Sequence, residues 1–497
     1  MAKIIFLQDI VYEFFGVMYI SAYLKKYGHQ CDVMIEHLDS DWLTRLEKEK
    51  PDLVAFSILT PSLPWALEKA AQIKARMNVP VILGGVHVFL NPDKTIAQNN
   101  VDIICTGEGE ICLLELCNSI DQGSIDQNIK GLWFKTTEGI KKNLPQKLDE
   151  DLDAMPFADR TIYWKYPAIE KRTTFPVMGS RGCPYTCTYC FIPSAKKVFE
   201  GQGKFIRERS AENILDEIKW CLQLSKHKRQ VHFVEDHFGN NRERTLQVLT
   251  ELSKFKNGTM RWAGAIRVER FNKEYYVKEL AKTNHGLLGL AVECGDYEYR
   301  KNILKRDVKN DEIVDSANLA HKYGLKLTTL NMIGLPGETF EMALKTLELN
   351  IQIKPVYASC YIYQPYPGTE LQQYSVEHNY MDESVTDQLG YSFYDRYIKG
   401  DKALNKLINL QRIFALVVRF PSLKKPMLKL VEADVRSLLD LIFGMYYMWW
   451  LWKYYQLTSF QIYESLLVWV KGKVSHKVNP ITNTLMKGDA QLYAEVE

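Results

Sequence analysis

At 497 residues the chain has room for about three domains of the usual ~150 residues. With 46% hydrophobic and 25% charged residues it reads as globular, and a net charge of +3 gives no overall field for gripping nucleic acid. Ten cysteines in this length exclude a disulfide scaffold and fit a reducing cytosol. The opening Met1-Ala2-Lys3-Ile4 run meets an acid at Asp9, too soon for a signal peptide, so a cytoplasmic location is expected.

Residues 1–130 alternate short apolar runs with amphipathic stretches. Strands are expected at 4–7, 31–35, 53–57, 79–83 and 102–105, with helical patterns such as 14–27, 63–77 and 110–119 between them. That alternation predicts a doubly wound parallel sheet, and such sheets bind ligands outside the carboxyl ends of their strands. Those ends carry Asp9, then Ser57 and Thr60, then Gly84, Gly85 and His87, then Gly107 and Glu108. No G-x-G-x-x-G opens the first helix, which disfavours a dinucleotide site. Residues 131–169 read as a hairpin over 131–144 and a linker, with the run from Asp149 to Pro156 too acidic for a core element.

From 170 to 380 six strand-like runs recur, at 177–179, 231–235, 262–265, 287–293, 325–333 and 358–363. Six such units fit a partial (β/α)6, TIM-like barrel with its chemistry at the carboxyl mouth. After the first run stands Cys183-Pro184-Tyr185-Thr186-Cys187-Thr188-Tyr189-Cys190. One tight loop thus offers three thiolates, and a cubane iron–sulfur cluster, which takes four ligands, would keep one iron open. Four-cysteine zinc sites come in C-x2-C pairs, and no second pair follows. Glu235 and Asp236 end the second run. Glu293 ends the nearly apolar fourth, where a buried carboxylate is costly unless hydrogen-bonded. Lys305 and Arg306 follow it; Met332, Ile333, Gly334 and Gly337 end the fifth, and Tyr361 to Thr369 the sixth.

Residues 381–497 are helical in pattern and carry no cofactor motif. The uncharged, aromatic-rich stretch from Leu441 to Trp452 falls short of the ~20 residues that span a bilayer. It suits a packing helix, a helix in peripheral membrane contact, or a cap over the barrel mouth.

The string from Gly179 to Cys190, followed in order by these strand-end motifs, resembles the radical S-adenosylmethionine (SAM) superfamily. The N-terminal pattern resembles the cobalamin-binding domain that precedes many radical SAM domains. Over residues 1–380 the resemblance implies a doubly wound cobalamin-binding domain (1–130), a hairpin and linker (131–169) and a partial (β/α)6 radical SAM domain (170–380), leaving a helical C-terminal domain (381–497). It implies a [4Fe–4S] cluster on Cys183, Cys187 and Cys190 whose open iron chelates SAM. SAM contacts are then expected at Tyr189, Glu235, Asp236, Glu293, Met332, Ile333, Gly334 and Gly337. Cobalamin contacts are expected at Asp9, Ser57, Thr60, Gly84, Gly85, His87, Gly107 and Glu108. Ordinary cobalamin-binding domains carry D-x-H-x-x-G after the first strand, yet Asp9 to Gly16 contains no histidine. Cobalt is therefore expected to carry no protein histidine, with His87 touching the corrin or propionamide edge.

The implied activity is reductive cleavage of SAM to a 5′-deoxyadenosyl radical, then methylation of an unactivated carbon or a phosphorus centre through methylcobalamin. Relatives of this architecture also perform cyclisation, ring contraction or other rearrangement of large apolar substrates such as tetrapyrroles or lipids. The implied partners are a small-molecule or lipid substrate and an electron donor such as flavodoxin or ferredoxin, with no nucleic acid. A tRNA methylthiotransferase would need three more cluster cysteines near the N-terminus, and Cys31, Cys105, Cys112 and Cys117 lack that spacing.

Overall fold

The structure, a computed structural model, describes residues 1–390, 397–398 and 402–455. Seven strands form a first sheet: β1 (Lys3–Gln8), β2 (Gln30–Ile35), β3 (Leu53–Ser57), β4 (Val81–Gly84), β5 (Ile103–Cys105), β6 (Leu132–Thr136) and β7 (Gly139–Lys142), in the order β2-β1-β3-β4-β5-β6-β7. The first five are parallel. Their unbroken apolar runs, such as Ile4 to Leu7, are buried throughout because helices cover both faces. The chain reverses its direction of winding between β1 and β3, which opens a crevice at their carboxyl ends. The hairpin β6–β7 adds antiparallel strands to β5, so the first sheet runs to Lys142, past the boundary expected at residue 130.

The second sheet contains β8 (Thr174–Val177), β11 (Gln230–Phe238), β12 (Arg261–Arg267), β13 (His285–Glu293), β14 (Lys326–Ile333) and β15 (Tyr357–Ile362), all parallel. Their spatial order equals their chain order, as in an open barrel wound one βα unit at a time. Between β8 and β11, the short β9 (Ser180–Arg181) and β10 (Arg207–Glu208) pair antiparallel and frame the cysteine loop.

Helix Lys402–Arg419 packs along the outer edge of β15, and Gln411 Nε2 donates to the Cys360 carbonyl at 2.9 Å. That covers an otherwise open sheet edge. Helix Arg436–Tyr455 packs behind it: Tyr446, Tyr447 and Trp450 surround Tyr357, with the Tyr357 and Trp450 ring centroids 4.2 Å apart. Tyr357 opens β15, at the end of the barrel opposite the mouth. Of the three readings of this stretch, the described part of the helix matches the packing helix and not a cap over the mouth, since its aromatic face is taken up by the sheet edge. Leu438, Leu441 and Met445 face outward from it. Among the described residues no helix is long and apolar enough to cross a membrane. The side chains of 451 and 452, which end the aromatic stretch, and everything after 455 lie outside the described residues.

Buried polar contacts join the two sheets through the 145–172 connection. Arg160 Nη2 donates to Glu217 Oε1 at 2.8 Å, and Arg209 donates to the other oxygen of the same carboxylate. Arg160 and Glu217 are wholly buried and Arg209 nearly so. Trp164 Nε1 reaches Glu13 at 2.8 Å, and Tyr163 Oη reaches Gln8 Oε1 at 2.6 Å, both on the first sheet's side. Burial alone would raise the Glu217 pKa, but Arg209 and Arg160 outweigh it and hold the carboxyl below its usual range. Glu217→Gln should strand two buried cations and destabilise the chain by about 3–5 kcal/mol, whereas replacing Arg160, Glu217 and Arg209 together by apolar residues should cost far less. Urea-unfolding midpoints of the variants measure the difference.

Candidate functional site

The cysteine loop leaves β9 at the carboxyl mouth of the barrel. Gly182, at φ 87°, turns the chain into it, and a Cβ there would meet the Phe205 carbonyl oxygen at 2.5 Å. Cys183 and Cys187 are buried, Cys190 half-buried and Thr186 exposed, so the loop has a solvent-facing tip between two of its thiols. All three are free. Burial pushes the Cys190 thiol up to about 12 and raises that of Cys183, so thiolates would form only as a metal displaces their protons. Among the described residues no three potential ligands converge on one ion. A cubane, with each thiolate on a different iron, needs no such convergence.

Glu235 turns to the stretch that enters the cysteine loop, whereas Asp236 is exposed and lines the cavity beside that entry. Glu235 accepts from the Gly179 amide at 3.1 Å and from Ser180 Oγ at 2.6 Å, while Asp236 accepts from the Gly182 amide at 2.7 Å. Both carboxylates support the stretch that enters the cysteine loop, where unsatisfied amides would be costly.

Glu293 does stand at the mouth. Its Oε1 accepts from Tyr189 Oη at 3.0 Å and lies 3.5 Å from Arg306 Nη1. Burial raises its pKa, with Arg306 and Tyr189 working against that rise. Arg306 is 2% exposed, and its Nη1 is buried without a hydrogen bond. Lys305, its neighbour in sequence, is exposed and paired with Glu370 at 2.5 Å. Of the two basic residues only Arg306 is available to an anion at the mouth.

Met332 and Ile333 end β14, and Gly334 and Gly337, at φ 71° and 77°, shape the turn after it. Glu338 closes that turn by accepting from the Gly334 and Leu335 amides at 2.6 and 3.1 Å. Burial pushes its carboxyl from 4.5 up to about 8.

A cavity of about 310 Å³ lies between the carboxyl ends of β3, β4 and β5 and the entry to the cysteine loop. Ser57, Gly84, Gly85, Gly107 and Glu108 line it, as expected from the sequence. Asp9, Thr60 and His87 do not. Gly85, at φ 98°, turns the chain away from the crevice, and His87, 2% exposed, places Nδ1 3.1 Å from Thr60 Oγ1 behind the wall. Among the described residues no histidine lines the cavity. Glu108 is already engaged: it accepts from Arg181 Nη1 at 2.9 Å and Arg207 Nη1 at 3.0 Å, and Arg181 also donates to Glu110 at 2.6 Å. Burial works to raise the Glu108 pKa, but the two arginines hold it low.

Sequence reasoning missed Gly16, Arg181 and Arg207. Gly16 lines the cavity, and an added Cβ there would find nothing within 4 Å, so its missing side chain keeps that space open. Arg181 sits inside the cysteine-loop string and could have been noticed as a buried cation; Arg207 stands in no pattern. Also unforeseen was Arg267 at the end of β12, whose Nη1 donates to Cys187 Sγ at 3.2 Å.

Comparison with known proteins agrees with this arrangement. The Radical SAM superfamily profile matches residues 177–349, and the B12 binding domain profile matches residues 11–116. An uncharacterized methyltransferase of Pyrococcus horikoshii is 28% identical over 344 residues, covering 68% of this chain and 72% of its own. The anaerobic magnesium-protoporphyrin IX monomethyl ester cyclase of Rubrivivax gelatinosus is 26% identical, over 72% of this chain and 65% of its own. Among solved structures, the cobalamin-dependent S-adenosylmethionine radical enzyme OxsB with aqua-cobalamin bound shares the fold at a TM-score of 0.65. It is 15% identical and covers 99% of this chain and 79% of its own.

Two outcomes follow from this geometry. Gly16→Leu should push into the cavity with no clash at its Cβ, leave iron content unchanged and weaken cobalamin uptake roughly tenfold or more, an overlap worth ~1.4 kcal/mol; equilibrium dialysis reads it. Glu338 keeps its proton in the fold but loses it near 4.5 when unfolded, so its contribution is present below that pH and lost as pH rises to about 8. Glu338→Gln should remove that part of the pH dependence, visible as a gap between the two chains' urea midpoints that changes across this range.

Proposed function

The chain belongs to the radical SAM superfamily in its cobalamin-dependent form, and we propose that it is a methylase acting on an unactivated carbon or a phosphorus centre. When bound, the cluster with SAM supplies a 5′-deoxyadenosyl radical and cobalamin supplies the methyl group. The observation that carries the methylase reading is a shared wall. Gly182 and Asp236, which set the entry to the cysteine loop, also line the cavity at the first sheet's crevice. A methyl donor seated in that cavity would lie beside a radical formed at the mouth.

In this reading Cys183, Cys187 and Cys190 hold the cluster. Tyr189 and Glu293 would hold the polar groups of SAM, Arg306 Nη1 would meet its carboxylate, and the turn over Gly334 and Gly337 would let adenine lie against the backbone beside Met332 and Ile333. Glu235 and Asp236 support the entry to the loop. Cobalamin would be held by Ser57, Gly84, Gly85 and Gly107 with space from Gly16, in a cavity that no described histidine lines. A one-electron donor such as flavodoxin or ferredoxin reduces the cluster through the exposed side of the loop near Thr186. Peripheral membrane contact would use the outward stripe of Leu438, Leu441 and Met445; sedimentation with liposomes tests it.

Rearrangement without methyl transfer is the second reading, favoured by the likeness to the cyclase of Rubrivivax gelatinosus. Anaerobic turnover of extracts with SAM carrying a labelled methyl separates the two. A methylase releases S-adenosylhomocysteine along with 5′-deoxyadenosine and yields a labelled product. A rearrangement gives 5′-deoxyadenosine with no label transferred.

Glu293→Gln keeps the side chain's shape and removes its charge. Losing an ionised acceptor costs about 1.5–3 kcal/mol, so SAM affinity should fall roughly 10- to 150-fold with cluster content intact. Titration of the reconstituted protein followed by calorimetry gives the value, and unchanged affinity would remove Glu293 from the SAM site.

A further inference from the structure

Each sulfur of the cysteine loop has a nitrogen donor, but the three donors differ in kind. Cys183 and Cys190 receive backbone amides, from Tyr185 and Ile192. Cys187 receives a cation: Arg267 Nη1 stands 3.2 Å from its Sγ. The guanidinium is fixed on two further sides. It lies 3.6 Å over the Tyr185 ring, and its Nη2 donates to Glu269 at 2.5 Å. Tyr185 is itself steadied by the edge of buried His237, with ring centroids 5.2 Å apart.

The contact belongs to a closed polar circuit. Glu269 Oε2 faces Arg306 Nη2 at 3.6 Å, Arg306 faces Glu293 at 3.5 Å, and Glu293 takes the Tyr189 hydroxyl two residues beyond Cys187. Arg267 and Arg306 are both largely withdrawn from solvent, at 14% and 1% side-chain exposure, so their charge is little screened.

We infer that Arg267 is a positioning residue that sets the reduction potential of the cluster through Cys187. The inference rests on the cofactor reading above and concerns only how this chain tunes the cluster. Potentials of iron–sulfur centres follow the hydrogen bonds to their sulfurs and the net charge around them. Reduction adds one electron to the cluster, taken from a one-electron donor, while no proton or bond changes hands at Arg267. A cationic N–H on a ligand sulfur stabilises the reduced, more negative state and raises the potential. Glu269 acts in the opposite sense: its negative charge offsets Arg267 and lowers the potential. A residue that merely packed against Tyr185 would give neither effect a sign.

The test is a dithionite-poised titration of the anaerobically reconstituted full chain without SAM, read by electron paramagnetic resonance, with iron and sulfide measured separately. Arg267→Gln should hold a full cluster yet show at least tenfold less reduced over oxidised cluster at a fixed potential, which is 59 mV for a one-electron couple. Glu269→Gln should move the other way, and Arg267→Lys, which keeps the charge, should fall between Gln and the parent. A parent midpoint in Arg267→Gln, or a midpoint in Glu269→Gln that stays or falls, overturns the inference. If Arg267→Gln fails to load, the sign in Glu269→Gln decides alone. A parent chain that holds no cluster would overturn the cofactor reading beneath it as well.

Discussion

Two sheets that turn the carboxyl ends of their strands toward a common space must be kept at a set separation, and buried charge does this here. Arg160 and Arg209 share Glu217 behind the cavity, and Arg181 and Arg207 share Glu108 at its rim. Neither carboxylate could be lost cheaply, because each is the shared partner of two largely buried arginines. Apolar packing would give adhesion without a unique distance. Forked guanidinium–carboxylate contacts give both a direction and a length. The cavity between the sheets exists because these contacts hold its walls apart while Gly16 leaves its interior clear.

The same economy governs the carboxylates. Three acids that look alike in sequence divide according to which amides they can reach. Glu235 and Asp236, in β11 beside the exit of β8, accept from Gly179, Ser180 and Gly182. Glu293 meets no backbone amide and is left with Tyr189 and Arg306. A buried carboxylate with only side-chain partners can exchange them for a ligand at small cost; one that satisfies backbone amides cannot, since the amides would be orphaned. That difference separates support from contact at this mouth.

Period and punctuation made the architecture legible. Every strand of both sheets fell within a few residues of its expected place, since parallel strands are written as continuous apolar runs. The cysteine loop was legible because three thiols at fixed spacing have few other uses. His87 was misread because its place after Gly84-Gly85 suggests the crevice, whereas the left-handed turn at Gly85 carries it onto Thr60. The arginines went unseen for a different reason: Arg207 and Arg267 acquire meaning only from partners about 80 to 100 residues away along the chain, Cys187 and Glu108. The aromatic helix was legible as a helix, but the face it would meet was not, because the edge of β15 it covers is a consequence of the barrel being open.

Glu293 also shows how an irregularity at a strand's end can aim one side chain. In β13 the register against β14 slips between Ala291 and Glu293, so that two residues of β13 stand opposite one of β14. A bulge of this kind bends the strand and redirects the residue that follows. Glu293 completes the change at φ 67°, a left-handed conformation that a residue with a Cβ rarely adopts. The result places buried Val292 and Cys294 on either side in the core while the carboxylate between them turns out to Tyr189. Such backbone strain persists only where surrounding contacts enforce it. Here Arg306, pinned by the Ala291 carbonyl at 3.1 Å and drawn toward Glu269, supplies the enforcement from one side. Tyr189, carried by the cysteine loop, supplies it from the other. The position of Glu293 is therefore coupled to the loop that would hold the cluster, so that ordering the loop orders the carboxylate with it.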